Sequence, residues 1–147
     1  MKNNNSEIDK SLVKIKSKVH NTMIEGLKVA GREGVSYART NKVWQNRTGN
    51  LNDSFGFAIY YNGLQVFKEV DSNSATVPKM GKKGHDEAVK FLDSYDAGMG
   101  YTLIVVAGMY YAKPLEVNRK YDVLFGSFVN AKEHLEFKPI NTNYYNE

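Results

Sequence analysis

Histidine and carboxylate side chains are the residues of this chain best able to do chemistry near neutral pH. His85 is followed by Asp86 and Glu87, a cluster that could coordinate a cation. Polar and acidic residues also begin helices often, because they satisfy free backbone N–H groups and suit the helix dipole. The pattern favours this second, structural interpretation. His20 and His134 lie far away within helical patterns, where surface positions are expected, and no two histidines have a metal-binding spacing.

Thiol, nucleotide and nucleophile chemistry have no motif in the sequence. There is no cysteine, which excludes disulfides and cysteine-ligated metal sites. The glycine–lysine segment 81–84 lacks the spacing of a phosphate-binding loop, and neither a nucleophile elbow nor a dinucleotide fingerprint is present. Residues 136–138 have the Glu-x-Lys shape of some nucleases, but no suitably spaced Pro-Asp partner accompanies them. The sequence therefore predicts a non-enzymatic protein without a cofactor or metal.

Basic residues are concentrated in the first third of the chain. The net charge is +4, whereas residues 1–50 hold 10 Lys/Arg against 4 Asp/Glu, a local charge of +6. Two groups of lysines are candidates for an interface or a surface that faces DNA. They are Lys10, Lys14 and Lys18 in the first predicted helix, and Lys79, Lys82 and Lys83 in a later polar segment. A solvated helix face is the simpler interpretation, and proximity to nucleic acid is the alternative.

A long amphipathic helix must position the first group, and we predict it from about Ile8 to about Thr40. Its apolar residues recur at steps of three and four, which places them on one stripe that we expect to pack in the core. They are Ile8, Leu12, Ile15, Val19, Met23, Leu27 and Ala30. Glycines at positions 26, 31 and 34 indicate either close packing against another element or a bend.

A β-hairpin is predicted around Asn62-Gly63. Alternating apolar residues precede and follow this dipeptide, which favours a two-residue turn because both turn positions need a positive φ. Such a turn pairs Tyr61 with Leu64 and Ile59 with Val66, which would put all four side chains on one face of the sheet.

Further elements follow a long polar loop, predicted over residues 71–84. A helix is expected to open at residues 85–87 and to run to about Tyr95. The continuous apolar run Tyr101–Val106 predicts a central strand buried on both faces. Pro114 restricts the next segment to a short helix, with the proline in its first turn.

The last predicted helix begins at Asp122, which has the character of an N-cap, and ends near residue 137. The whole order predicts one α+β domain over residues 1–147, with a small, mostly antiparallel sheet covered by helices. We expect an ordered core over about residues 8–137 and flexible termini at 1–5 and 138–147. No signal peptide and no apolar run of about 18 residues is present, so we expect no membrane association.

Two segments, taken together, resemble a known family of proteins. The first precedes the hairpin and contains Arg47-Thr48-Gly49-Asn50-Leu51 followed by Ser54. The second precedes the final helix and contains Tyr111-Ala112, then Glu116, then Asp122 and Leu124. This pair, in this order, resembles the tail-completion or head–tail joining (minor neck) proteins of tailed bacteriophages. The second segment is similar to versions in phages and prophages of gut Bacteroidetes, although Lys113-Pro114 and residues 118–120 depart from the family's loop pattern.

The resemblance implies a structural virion protein, made in the cytoplasm of the host and located in the neck or tail. It implies a homo-oligomeric ring that joins connector or portal-side proteins of the capsid to the tail tube or tail proteins. A small basic protein associated with nucleic acid is the alternative that the charge distribution leaves open.

The motif residues also have a physical interpretation of their own. Gly49 can take the positive φ of a tight turn, and Leu51 is expected to anchor the loop in the core. Arg47 could reach Glu116 or Asp53, bind backbone carbonyls, or contact a neighbouring subunit. Glu116 is expected either to cap the short helical segment or to meet a basic residue across an interface.

Overall fold

The chain folds as the α+β domain that the sequence predicts, in a computed structural model that describes residues 5–41, 49–70, 81–118 and 121–135. The helices are α1 (Asn5–Thr40), α2 (Lys82–Ser94), α3 (Ala112–Asn118) and α4 (Phe125–Leu135). The strands are β1 (Phe55–Tyr61), β2 (Leu64–Glu69) and β3 (Tyr101–Ala107), and a 3-10 turn spans Asn52–Ser54. Arg47, Thr48, Lys79 and both predicted flexible termini except Asn5 lie outside the described residues.

The sheet has the strand order β2-β1-β3, and both pairings are antiparallel. The central strand is therefore β1, and the prediction that Tyr101–Val106 forms the central strand is wrong. Only Val106 of β3 is fully buried, whereas β1 is buried from Phe55 to Tyr60. A continuous apolar run cannot distinguish these positions, because the partly buried edge strand β3 is as apolar as the buried central strand β1.

The hairpin turn is present at Asn62-Gly63, with φ values of 50° and 81°. Tyr61 pairs with Leu64 as predicted, but Ile59 pairs with Phe67 and not with Val66, because a β-bulge shifts the register. The extra residue turns Val66 outward and brings Phe67 against Phe57, at 5.7 Å between ring centroids.

One face of the sheet is covered by the second half of α1, and α4 packs against α1. The ring of Phe57 lies so close to Gly31 that a β-carbon there would be 2.3 Å from it. Gly34 packs on α4, where the Ser127 hydroxyl donates to its carbonyl at 2.5 Å. Close packing is thus confirmed for these two glycines, whereas Gly26 faces open space.

The first half of α1 is not part of this core, contrary to the prediction. Ile8, Leu12, Ile15 and Val19 are exposed, and full burial along the stripe begins at Leu27. The sheet ends beside His20, and no described residue outside α1 covers the apolar stripe between His20 and the beginning of the helix. His20 itself is part-buried, because its Nδ1 lies 2.7 Å from the Tyr101 hydroxyl and its ring packs on Tyr61, so the predicted surface position is wrong. His134 is on the surface as predicted.

The other face of the sheet is covered by α2. Ala88 and Leu92 are fully buried against Ala58 and Tyr60, and the Tyr60 hydroxyl donates to the Leu92 carbonyl at 2.6 Å. The helix begins at Lys82, three residues earlier than predicted. Gly81 precedes it in a left-handed conformation with φ 88°, which glycine adopts readily.

Two short helices complete the fold. Pro114 lies in the first turn of α3, as predicted, and α4 ends at Leu135. Among the described residues, no helix is long and apolar enough to cross a membrane.

Candidate interaction surface

The first motif holds a loop against the beginning of the sheet. Gly49 has φ 75°, and its carbonyl accepts the N–H of Asp53 at 2.9 Å, which confirms the predicted turn glycine. Leu51 is buried in the core, as predicted, and its carbonyl accepts the hydroxyl of Ser54 at 2.8 Å. The Ser54 carbonyl in turn accepts the N–H of Gly108 at 3.0 Å. These motif residues therefore connect the loop to both β1 and the end of β3.

The same loop lies against the first turn of α2. A β-carbon at Gly84 would lie 1.8 Å from the Asn50 carbonyl oxygen, so only glycine fits there. Asp53 is buried, and its Oδ2 atom has no hydrogen-bond partner among the residues that the structure describes. Gly81 packs directly on that carboxylate, where a β-carbon would come within 1.7 Å. The sequence named Asp53 only as a possible partner of Arg47, which lies outside the described residues.

The second motif joins α3 to α4 through Glu116. Its carboxylate accepts the backbone N–H groups of Val123 and Leu124 at 2.8 Å each, and that of Phe125 at 3.1 Å. Such N–H groups at the beginning of a helix have no partner within the helix. Glu116 therefore acts as a cap, but of the following helix and not of its own segment. Ala112, which begins α3, is buried, and its N–H donates to the Met109 carbonyl at 2.9 Å.

Asp122 anchors the beginning of α4 to α1. Its Oδ1 accepts the N–H of Gly126 at 2.7 Å, which confirms the predicted capping role. Its Oδ2 accepts the hydroxyl of Tyr37 at 3.2 Å. This hydrogen bond, and the negative charge behind it, raise the pKa of Tyr37 above its ordinary value.

The two braced helices expose large apolar side chains. We call the outward surface formed by Tyr110, Val117, Phe125 and Phe128 the α3–α4 face; these residues are between 63% and 82% exposed. An open apolar groove of about 380 Å³ adjoins it, between α4 and β3. Its lining includes Leu103, Val105, Leu124, Phe128 and Leu135. Exposed apolar clusters of this kind are typical of surfaces that bind proteins, membranes or small ligands.

A second apolar surface lies on residues 5–19 of α1, which we call the arm. Every residue of the arm is exposed, including the candidate lysines Lys10, Lys14 and Lys18. Lys82 and Lys83 are also exposed, in the first turn of α2. The structure thus places the two described lysine groups on separate elements.

The His85 cluster has the geometry of a polar helix beginning. Lys82 pairs with Asp86 at 2.6 Å, and the hydrogen bonds from Lys82 and then His85 lower the pKa of this carboxyl below its ordinary value. Among the described residues, no three His, Asp or Glu side chains are grouped so that they could hold a metal ion.

Comparison of the chain with family models, with curated proteins and with solved structures found no match.

Proposed function

We propose that this chain is a structural, non-enzymatic subunit of a tailed-bacteriophage particle, which joins the capsid connector to the tail. The α3–α4 face carries the proposal. The residues that resemble the tail-completion motif brace this face from behind, since Ala112 begins α3 and Glu116 and Asp122 cap α4. A motif that holds a docking surface in shape is what a connecting subunit requires.

The chemistry of the face supports a protein neighbour. Phe125 and Phe128 are aromatic side chains of the kind that dominate protein interfaces. The adjacent groove has room for apolar side chains of a partner. A ring arises when such a face binds a different surface of the next copy and the rotation closes. The connector above and the tail tube below would then meet the ring's two rims. The localisation that follows is the neck or tail of the virion.

A phage that encodes this chain provides the test. A nonsense mutation in the gene should yield filled heads and separate tails, because the joining subunit is missing. A Phe125→Ser/Phe128→Ser double variant should give the same result, whereas Phe91→Ser, an exposed phenylalanine on the other side of the sheet, should give joined particles. Heads and tails that join normally without the chain would refute the proposal.

A nucleic-acid-binding protein is the second candidate, and the exposed lysines of the arm favour it. Lys10, Lys14 and Lys18 recur every four residues on a helix that projects from the body. If phosphate contacts are their role, the isolated chain binds duplex DNA with an affinity that falls steeply as salt rises, and a triple Lys→Gln variant loses this binding. Absence of binding at low salt would eliminate this candidate.

A further inference from the structure

The arm combines an exposed apolar seam with a helix that no other described part of the chain covers. Ile8, Leu12, Ile15 and Val19 follow a 4-3-4 spacing, and each is between 49% and 58% exposed. This is the spacing of a two-helix seam, in which every apolar residue inserts between residues of a facing helix. Most helical stability in proteins comes from packing of an apolar face, so a facing helix would stabilise this part of α1.

We propose that the arm pairs with the arm of a second copy of this chain, and that the two helices run antiparallel. In the register that fills the seam, Leu12 lies opposite Ile15 of the second copy, and Ile8 lies opposite Val19 of the second copy. The relation is symmetric, so the same four residues of each chain form four apolar layers. This inference concerns the free protein and does not rest on the proposed function.

The charges beside the seam select the antiparallel orientation. Asp9 and Lys16 lie on the same flank of the seam, two helical turns apart, which is about 10 Å and too far for an ion pair within one helix. Antiparallel pairing places Asp9 next to Lys16 of the second copy, and symmetry forms this ion pair twice. Parallel pairing instead brings Lys16 next to Ser11 and Lys18 next to Met23, without an ion pair. Opposed helix dipoles favour the same orientation.

The length of the arm fits this register. The arm spans 15 residues, or about 22 Å of helix. The register brings residue 7 beside His20 of the second copy, where the helix meets the sheet at Tyr61 and Tyr101. The tip of each arm therefore reaches the hairpin end of the other copy. Leu64 and Met99 at that end are 73% and 85% exposed, and they would be covered.

Four layers form a small interface, so the dimer should dissociate on dilution. Interfaces below about 1,200 Å² give weak or transient complexes, and we expect a dissociation constant in the micromolar range. The pairing uses a surface other than the α3–α4 face. Either surface can therefore prove functional without the other.

Sedimentation equilibrium of the full chain tests the pairing. We expect a reversible monomer–dimer equilibrium in the wild type, and a dimer weakened at least about 100-fold by Ile15→Lys, which puts two charges into the seam. Lys16→Glu should weaken the dimer about tenfold, because it replaces two attractions by two repulsions. Lys14→Glu, with the same change of charge away from the seam, should have little effect.

The charge-swapped double variant decides the orientation. Asp9→Lys/Lys16→Glu should restore the wild-type dissociation constant, since both ion pairs form again with their signs reversed. All variants should keep the thermal midpoint of the body, because every altered side chain is exposed. A wild-type chain that stays monomeric up to about 100 μM would overturn the pairing, and a double variant that dimerises more weakly than Lys16→Glu alone would overturn the antiparallel register.

Discussion

At the scale of single residues, the hydrogen bonds of Glu116 to the beginning of α4 are the contacts that were hardest to predict from the sequence. Capping residues are recognised within a few positions of the helix that they cap, and Asp122 was found in this way. Glu116 precedes the first residue of α4 by nine positions, yet its carboxylate accepts three N–H groups there. Only the fold of α3 back onto α4 creates this contact. A sequence pattern therefore left its partner open.

We predict that Glu116→Gln lowers the free energy of unfolding by about 1–3 kcal/mol, because the amide carries no charge and has one acceptor oxygen where the carboxylate has two. Urea unfolding measures this change. Glu133→Gln, on the exposed side of α4, is the matched control and should change stability by less than about 0.5 kcal/mol. Equal unfolding midpoints for the two variants would contradict the capping role.

Tyr60 makes stability depend on pH in the alkaline range. Burial raises the pKa of its phenol above the ordinary value of 10.0, so the folded state retains a proton that the unfolded state loses. This contribution is complete below pH 10 and is lost as pH rises through the folded pKa. Thermal midpoints measured from pH 8 to pH 11 should fall less steeply above pH 10 in Tyr60→Phe than in the exposed control Tyr110→Phe. Parallel curves would show that Tyr60 has no such role.

At the scale of elements, periodicity predicted where helices and strands form but not what covers them. The apolar stripe of α1 is present as predicted, and its spacing is the same along the helix. Its residues are buried in the core from Leu27 onward but exposed to solvent before His20. The Asn62-Gly63 turn fixed only its nearest pair, because the bulge that moves Phe67 inward depends on packing against Phe57. Packing of one element on another is absent from a local pattern.

Two glycines of α1 provide a matched test of helix packing. Gly31→Ala should destabilise the fold by about 1–3 kcal/mol, since the new methyl group meets the buried ring of Phe57. Gly26→Ala should stabilise it by up to about 1 kcal/mol, because alanine favours the helix and nothing lies within 4 Å. Denaturant unfolding of both variants measures the difference. Similar effects of the two substitutions would refute the close contact at Gly31.

At the scale of the whole molecule, the fold class and the element order could be predicted from the sequence, but the sheet order could not. β1 becomes central because the hairpin gives it one neighbour and β3 gives it the other, and an apolar composition is common to both. The candidate surfaces were also only partly predictable. The motif residues Leu51, Glu116 and Asp122 were identified, whereas exposure of the α3–α4 face follows from their arrangement in space.

The two apolar surfaces lie toward opposite ends of α1. The arm ends at residue 19, and the beginning of α4 is anchored at Tyr37, about 27 Å farther along the helix axis. A small domain with a docking surface near each end can bind two different neighbours at once. This arrangement suits a subunit that assembles with neighbouring copies of itself.

Cryo-electron microscopy of particles from a phage that encodes this chain tests the central proposal most directly. We predict density for this fold at the head–tail junction, in several copies around the tail axis, with Phe125 and Phe128 covered by a neighbouring protein. Particles that lack the chain, or a junction in which the α3–α4 face of every copy remains open to solvent, would contradict the account.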